Sequence, residues 1–157
     1  MTTIDERGAP AAQGDDPGLL RRLLLGLMLL GMLGLMAELL LLEHFEDVWQ
    51  WVPLVSLAIG FLLGLAVWLR PGPATLRAFR ALSVAFVAAG ALGMYLHFDG
   101  NVEFEVESDS GLRGLPLAWE ALRGATPALA PGALAQLGLL GLVLAYRHPA
   151  LRRGRAD

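Results

Sequence analysis

The sequence predicts an all-α integral membrane protein: a four-transmembrane-helix antiparallel bundle with a small extracytoplasmic cap, made of one strand or hairpin and a short interfacial helix. Three observations predict it. Of 157 residues, 55% are hydrophobic and only 17% charged, and the mean hydropathy is +0.55, too apolar for an ordinary soluble domain. Four stretches approach the roughly 20 residues that a helix needs to cross a hydrocarbon core about 30 Å thick. The arginines gather on one side of these stretches and the carboxylates on the other, which is how topology is written in membrane sequences.

Taken in order, residues 1–18 are polar, rich in Gly and Pro and free of apolar periodicity, so they read as a disordered cytoplasmic tail. The first span, residues 23–42, follows Arg21 and Arg22. It is about twice the length of a signal-peptide core and lacks a small-residue cleavage pattern, so it reads as a retained anchor. The second span covers residues 48–69 and the third residues 81–98, joined by short turns at "EHFED" and "PGP"; short turns make antiparallel neighbours. The fourth span, residues 128–146, is interrupted near its start by Pro131 and Gly132. A proline in the first helical turn gives up no hydrogen bond, so the span survives it. Residues 99–127 form the outer loop, residues 148–157 a basic cytoplasmic tail, and residues 19–147 the bundle.

Orientation follows from arginine. Arg7, Arg21, Arg22, Arg70, Arg77, Arg80, Arg147, Arg152, Arg153 and Arg155 share one side, and Arg113 and Arg123 the other, which predicts both termini in the cytoplasm. The opposite side carries Glu43, Glu46, Asp47, Asp99, Glu103, Glu105, Glu107, Asp109 and Glu120. Phe45, Trp49, Trp51, Tyr95, Phe98 and Trp119 mark the outer interface, and Trp68 and Tyr146 the inner one, as aromatic belts do. The chain has no Lys and no Cys. Its Arg, Ala and Gly bias suggests a bacterial cytoplasmic (inner) membrane, and thiolate chemistry is excluded.

Helices in lipid associate through small residues that let backbones approach. Ser56, Gly60 and Gly64 form such a row on the second span and Ala81, Ala85, Ala89 and Gly93 on the third, while the first span offers Gly31 and Gly34 and the fourth Gly138, Gly141 and Ala145. These rows predict packing inside the bundle first, and contact with a second copy or a membrane-protein partner second. Nucleic acid is excluded as a partner, because the arginines lie on short flanks as topology determinants. The lipid bilayer is the one partner that composition requires.

Few residues are available for chemistry. Glu38 lies about 6 Å inside the outer boundary at 1.5 Å per residue, where an unpaired carboxylate is costly. Gln136 and Ser56 lie at similar depth and Tyr95 nearer the surface, so a polar cluster of Glu38, Gln136 and Tyr95 is expected in the outer half. His44 and His97 end their helices at one level. With Glu43, Glu46 or Asp99 they would accept a divalent cation; haem is disfavoured, since no H-x-x-x-H spacing is present. No cofactor is predicted.

In "YLHFDGNVEFEVESDSG", Asp99, Asn101 and Glu103 match the opening ligands of a calcium loop, but Phe104 and Ser110 stand where an EF-hand needs Gly and Glu, which excludes that motif. Val102, Phe104 and Val106 alternate with Glu103, Glu105 and Glu107, a period of two that predicts a half-buried strand. After it, "GLPLAWEALRG" spaces Leu115, Trp119 and Leu122 as an amphipathic interfacial helix. Phosphate loops, nucleophile elbows and zinc-protease motifs are missing. The functional expectation is a non-catalytic accessory or structural subunit acting through its bundle face or acidic outer cap. The alternative is proton or divalent-cation binding or transport through Glu38, His44 and His97.

Overall fold

The computed structural model describes residues 17–153. The predicted tail at residues 1–16 and the last residues of the basic tail, 154–157, lie outside the described residues. Six helices make up the rest: α1 (Pro17–Leu41), α2 (Val48–Leu69), α3 (Pro73–Ser108), α4 (Gly114–Arg123), α5 (Gly132–Ala145) and α6 (Pro149–Arg153). Among the described residues there is no strand. Helix α1 thus starts inside the predicted tail, and α6 occupies part of the predicted basic tail.

Three helices, α1, α2 and α3, are long and apolar enough to cross a membrane, and their arrangement is compatible with a membrane bundle. Helix α5 is apolar but only 14 residues long, about 21 Å at 1.5 Å per residue. Around the molecule α1 packs on α2 and α5, and α3 packs on α2 and α5, with α3 and α5 the closest pair; α4 and α6 both lie against α3. The core is Leu25, Met28 and Met32 of α1, Leu57 and Val67 of α2, Leu76, Phe79 and Phe86 of α3, and Leu134, Leu137 and Leu144 of α5.

Glycine decides how closely these helices meet. A Cβ on Gly138 would stand 2.5 Å from the Ser83 carbonyl oxygen, and one on Gly90 would stand 2.6 Å from the Ala135 amide nitrogen. Both obstacles are backbone and cannot move aside, so only a bare Cα allows this seam. On the other side of α3, Gly60 receives the ring of Phe86, and Gly64 receives Leu29 and Phe79. In the predicted small-residue rows, Gly60 and Gly64 are buried, Ser56, Ala89 and Gly93 are half-buried, and Ala85 is exposed. The most deeply buried residues on this side of α3 include Phe79, Ser83, Phe86 and Gly90, with Ala89 packed against the core and Gly93 against Pro131.

The expected strand is corrected by α3. Its 36 residues run about 54 Å, well past a bilayer core of about 30 Å, and residues 102–107 are its last turns. Alternation over six residues is a weak signal, and glutamate is a good helix former. A lone strand would leave its backbone groups without partners, whereas a helix satisfies them within the segment. The helix then ends on its own side chains: Ser108 Oγ donates to the Phe104 carbonyl at 2.9 Å, and Asp109 accepts from the Gly111 amide at 2.9 Å. A short helix carrying Leu115, Trp119 and Leu122 is present as α4, with those three side chains exposed.

Gly90→Val should therefore lower stability by about 1–3 kcal/mol, the usual range for overpacking. Gly34→Ala, where a Cβ would meet nothing within 4 Å, should be neutral or slightly stabilising. Thermal unfolding in a mild detergent measures both, and equal effects at the two sites would show that the α3/α5 seam is not close-packed.

Candidate interaction and cation site at the acidic end

Local backbone geometry sets the acidic end of the bundle. Helix α1 closes with the His44 amide donating to the Leu39 carbonyl at 2.9 Å and the Glu43 amide donating to that of Leu40 at 3.1 Å, the bond pair of a Schellman ending. Glu43 takes the left-handed conformation, φ 52°, where glycine is usual. Helix α2 starts at once with a capping box. Asp47 accepts from the Trp49 amide at 2.8 Å, and Gln50 Oε1 accepts from the amides of Asp47 and Glu46 at 3.1 and 2.7 Å. Asp47 and Gln50 are thus used in ending a turn, which removes Asp47 from the pool of free acidic groups.

This turn delivers His44 to His97. Their rings meet edge to face with centroids 6.3 Å apart, and His97 Nδ1 lies 3.1 Å from the Pro127 carbonyl oxygen. Since a carbonyl only accepts, Nδ1 carries a proton in this contact. Burial holds the pKa of His44 below its ordinary 6.5, and the neighbouring charge of His97 lowers it further. At the arginine end His148 is lowered in the same way, by burial and then by Arg21.

One turn beyond His97 is the residue that organises the loop. Asn101 is 4% exposed; its Nδ2 donates to the carbonyls of Ala121 and Thr126 at 2.8 and 2.6 Å, and its Oδ1 accepts from the Thr126 amide at 3.2 Å. Gly124 packs on the same amide group, and a Cβ there would stand 2.6 Å from Asn101 Cγ. Asn101 therefore fastens the end of α4 and the start of the descent to α5 onto α3. In the sequence it stands out only as a calcium-loop position that fails. A single Asn in an acidic run gives no sign that its amide will meet backbone from 20 to 25 residues away.

The expected polar cluster divides. His44 and His97 come together. Glu38, Gln136 and Tyr95 are all exposed on the protein surface, and Glu38 has no side-chain partner among the described residues. Gln136 instead lines a groove of about 220 Å³ between α1 and α5, together with Gly31, Leu35, Ala133, Leu137 and Leu140. Among the described residues no three metal-binding side chains are gathered. The acidic residues take a new pattern in the helix: Asp99, Glu103 and Glu107 are spaced four apart, which places them on one face, and all are exposed, while Glu105 is half-buried.

Comparison of the chain with protein-family models, with curated proteins and with solved structures finds no match.

Asn101→Ala should leave the Thr126 carbonyl and amide without partners and the Ala121 carbonyl with only the Gly124 amide at 3.5 Å, a loss of about 1–3 kcal/mol per buried group left unmade. Hydrogen exchange should accelerate at residues 121–127 and not in α2; uniform exchange would show that Asn101 does not hold the loop. A second expectation concerns pH. With its folded pKa lowered, His44 contributes stability that is fully present above 6.5 and is lost as pH falls from there through the lower folded value. His44→Gln, compared in a His148→Gln background, should flatten the fall in melting temperature below pH 6.5; an unchanged pH profile would overturn the linkage.

Proposed function

We propose that the chain is a non-catalytic accessory or structural membrane protein that works by contact, through its bundle face and its acidic end. The observation that carries this reading is the direction in which its polar groups point. Glu38, Gln136, Asp99, Glu103 and Glu107 all face outward, while the interior is closed by apolar side chains and glycine contacts. A transport or catalytic site needs polar groups turned toward one another, and of the cation candidates only His44 and His97 meet.

The stripe on α3 supports the same reading. Like charges four apart on a helix repel and cost it a few tenths of a kcal/mol each, a cost that a basic partner surface would remove. Beside it Phe104 and Val106 are 56% and 41% exposed, so the acidic end offers apolar anchors as well as charge. Aromatic anchors next to complementary charge are the usual makings of a contact surface.

In this reading the bundle has four spans in a bacterial inner membrane, with both termini cytoplasmic and the α4 cap outside. Turn bonds support a fourth span. Ala130 donates to Pro127, Gly132 to Leu129, Ala133 to Ala130 and Leu134 to Pro131, which continues the coil of α5 outward to residue 128. The amphipathic α4 then rests its Leu115, Trp119 and Leu122 face in the headgroup layer.

Photo-crosslinking from Phe104 and Val106, both exposed on α3, should give a discrete adduct of defined mass in native membranes. It should be lost when Asp99, Glu103 and Glu107 are all changed to Gln or when 0.5 M salt is added, on the order of several Debye-screened contacts. Recovery of the chain without any adduct from either position would overturn the reading.

A further inference from the structure

We propose that the arginine end of the molecule holds the phosphate of an acidic phospholipid, seated among Arg21, Arg147 and His148 beside the Tyr146 ring. The site lies at the opposite end from the acidic surface and stands or falls independently of the contact function.

The fold brings these groups together from the two ends of the chain. Arg21, near the start of α1, is half-buried, and its Nη2 donates to the Tyr146 carbonyl at 3.4 Å. Tyr146 closes α5, and the Arg147 guanidinium lies over its ring, 5.3 Å from the centre, which leaves the N–H groups around the edge of the guanidinium open. His148 Nδ1 accepts from the Ala150 amide at 3.2 Å. An amide only donates, so the ring proton is on Nε2 and His148 is a neutral donor. Arg21 uses one of its five N–H groups on Tyr146. The three side chains thus offer several donors, and their one acceptor, His148 Nδ1, is already used.

Charge selects the class of ligand. Among the described residues every carboxylate lies from Glu38 toward the acidic end, while Arg22, Arg70, Arg77 and Arg80 add to the positive charge at this one. The field is felt at His148, whose pKa is held below its ordinary value by burial first and then by Arg21. Such a field attracts an anion and repels the ammonium that a zwitterionic headgroup carries with its phosphate, so the ligand has net negative charge. Backbone geometry points the same way. Arg147 has φ 48°, in the left-handed region where glycine sits without strain and other residues do not. An arginine kept where glycine fits best is accounted for by what its guanidinium holds.

The surface beside the cluster distinguishes a lipid from a free anion. Tyr146, Val143 and Leu139 are spaced three and four apart, which puts them on one stripe of α5, and all three are exposed. From Tyr146 the stripe runs about 10 Å along the helix at 1.5 Å per residue. A glycerophospholipid with its phosphate at Arg21 and Arg147 lays an acyl chain along that stripe, for which inorganic phosphate has no use. Tyr146 at the end of α5 and Trp68 near the end of α2 mark this level as the headgroup layer.

Native mass spectrometry of the full chain in mild detergent tests the site, with phosphatidylglycerol and phosphatidylcholine of the same acyl chains as probes. Phosphatidylglycerol should bind at least tenfold more tightly, and Arg147→Gly should cut that preference about tenfold, the order of one lost charge-assisted hydrogen bond. Because glycine relieves the backbone at residue 147, the same variant should keep or raise the melting temperature in phosphatidylcholine, so that binding and stability separate. Arg77→Gln combined with Arg80→Gln removes two charges from the same end and should change the preference less than twofold. Equal affinity for the two lipids overturns the proposal, as does an equal loss in the Arg77/Arg80 double variant, which would show a diffuse field. A fall in melting temperature in Arg147→Gly also overturns it, by showing the arginine to be structural. Displacement of phosphatidylglycerol by millimolar inorganic phosphate, beyond that caused by sodium chloride of equal ionic strength, overturns it in favour of a free anion. None of these outcomes moves the α3 photo-adduct, which reports on the acidic end alone.

Discussion

The close seam between α3 and α5 is the constraint on which the rest of the molecule depends. Lipid tails give helices no hydrophobic reason to associate, so adhesion must come from dispersion at short range and from polar contacts. Gly90, Gly138 and Gly141 supply the short range by letting Ser83, Ala135 and Phe86 sit where side chains would otherwise stand. Ser83 is itself made harmless there, because its hydroxyl donates to the Phe79 carbonyl of its own helix at 2.8 Å. With α5 held at that distance, the chain entering it is also fixed. Pro131 lies over Gly93, Pro127 meets His97, and Thr126 and Ala121 meet Asn101. The seam and the Asn101 clamp thus form one continuous attachment along α3, from the middle of the bundle to its acidic end.

The parts of this fold that were legible in the sequence are those set by solvent. The second span matches α2 end to end, the third falls within α3, and the first overruns the end of α1 by one residue, because twenty apolar residues have little alternative in hydrocarbon. The amphipathic spacing of Leu115, Trp119 and Leu122 was likewise enough to place α4. The small-residue rows were less informative. Any row of alanines at spacing four can serve a helix contact, and the sequence does not say which side of α3 meets α5; Ala85 is exposed while Ser83 is buried.

The acidic ladder misled for a definite reason. Period two and period 3.6 are hard to separate over six residues, and Val102, Phe104 and Val106 favour a strand by type. What decides the matter is tertiary. The α3 helix is already nucleated along its apolar length, so each added residue extends an existing ladder of hydrogen bonds, whereas a strand would need a new partner. Asn101 then has α4 and the descending loop to hold, and α4 covers one side of the extended helix. None of this can be seen from residues 99–108 alone, since the groups that Asn101 binds come from Ala121 and Thr126.

A chain whose interior is dry and closed has to place its costly groups on its surface. In water that is no burden, and Asp99, Glu103 and Glu107 are at ease at the end of α3. Within the hydrocarbon the same choice is expensive: a charged side chain at a helix centre costs about 2.5–3.5 kcal/mol by insertion scales, and even near the boundary an unpaired carboxyl is at a loss. One interhelical hydrogen bond in a membrane returns only about 0.6–2 kcal/mol. A single bond at Glu38 would therefore offset only a fraction of that cost.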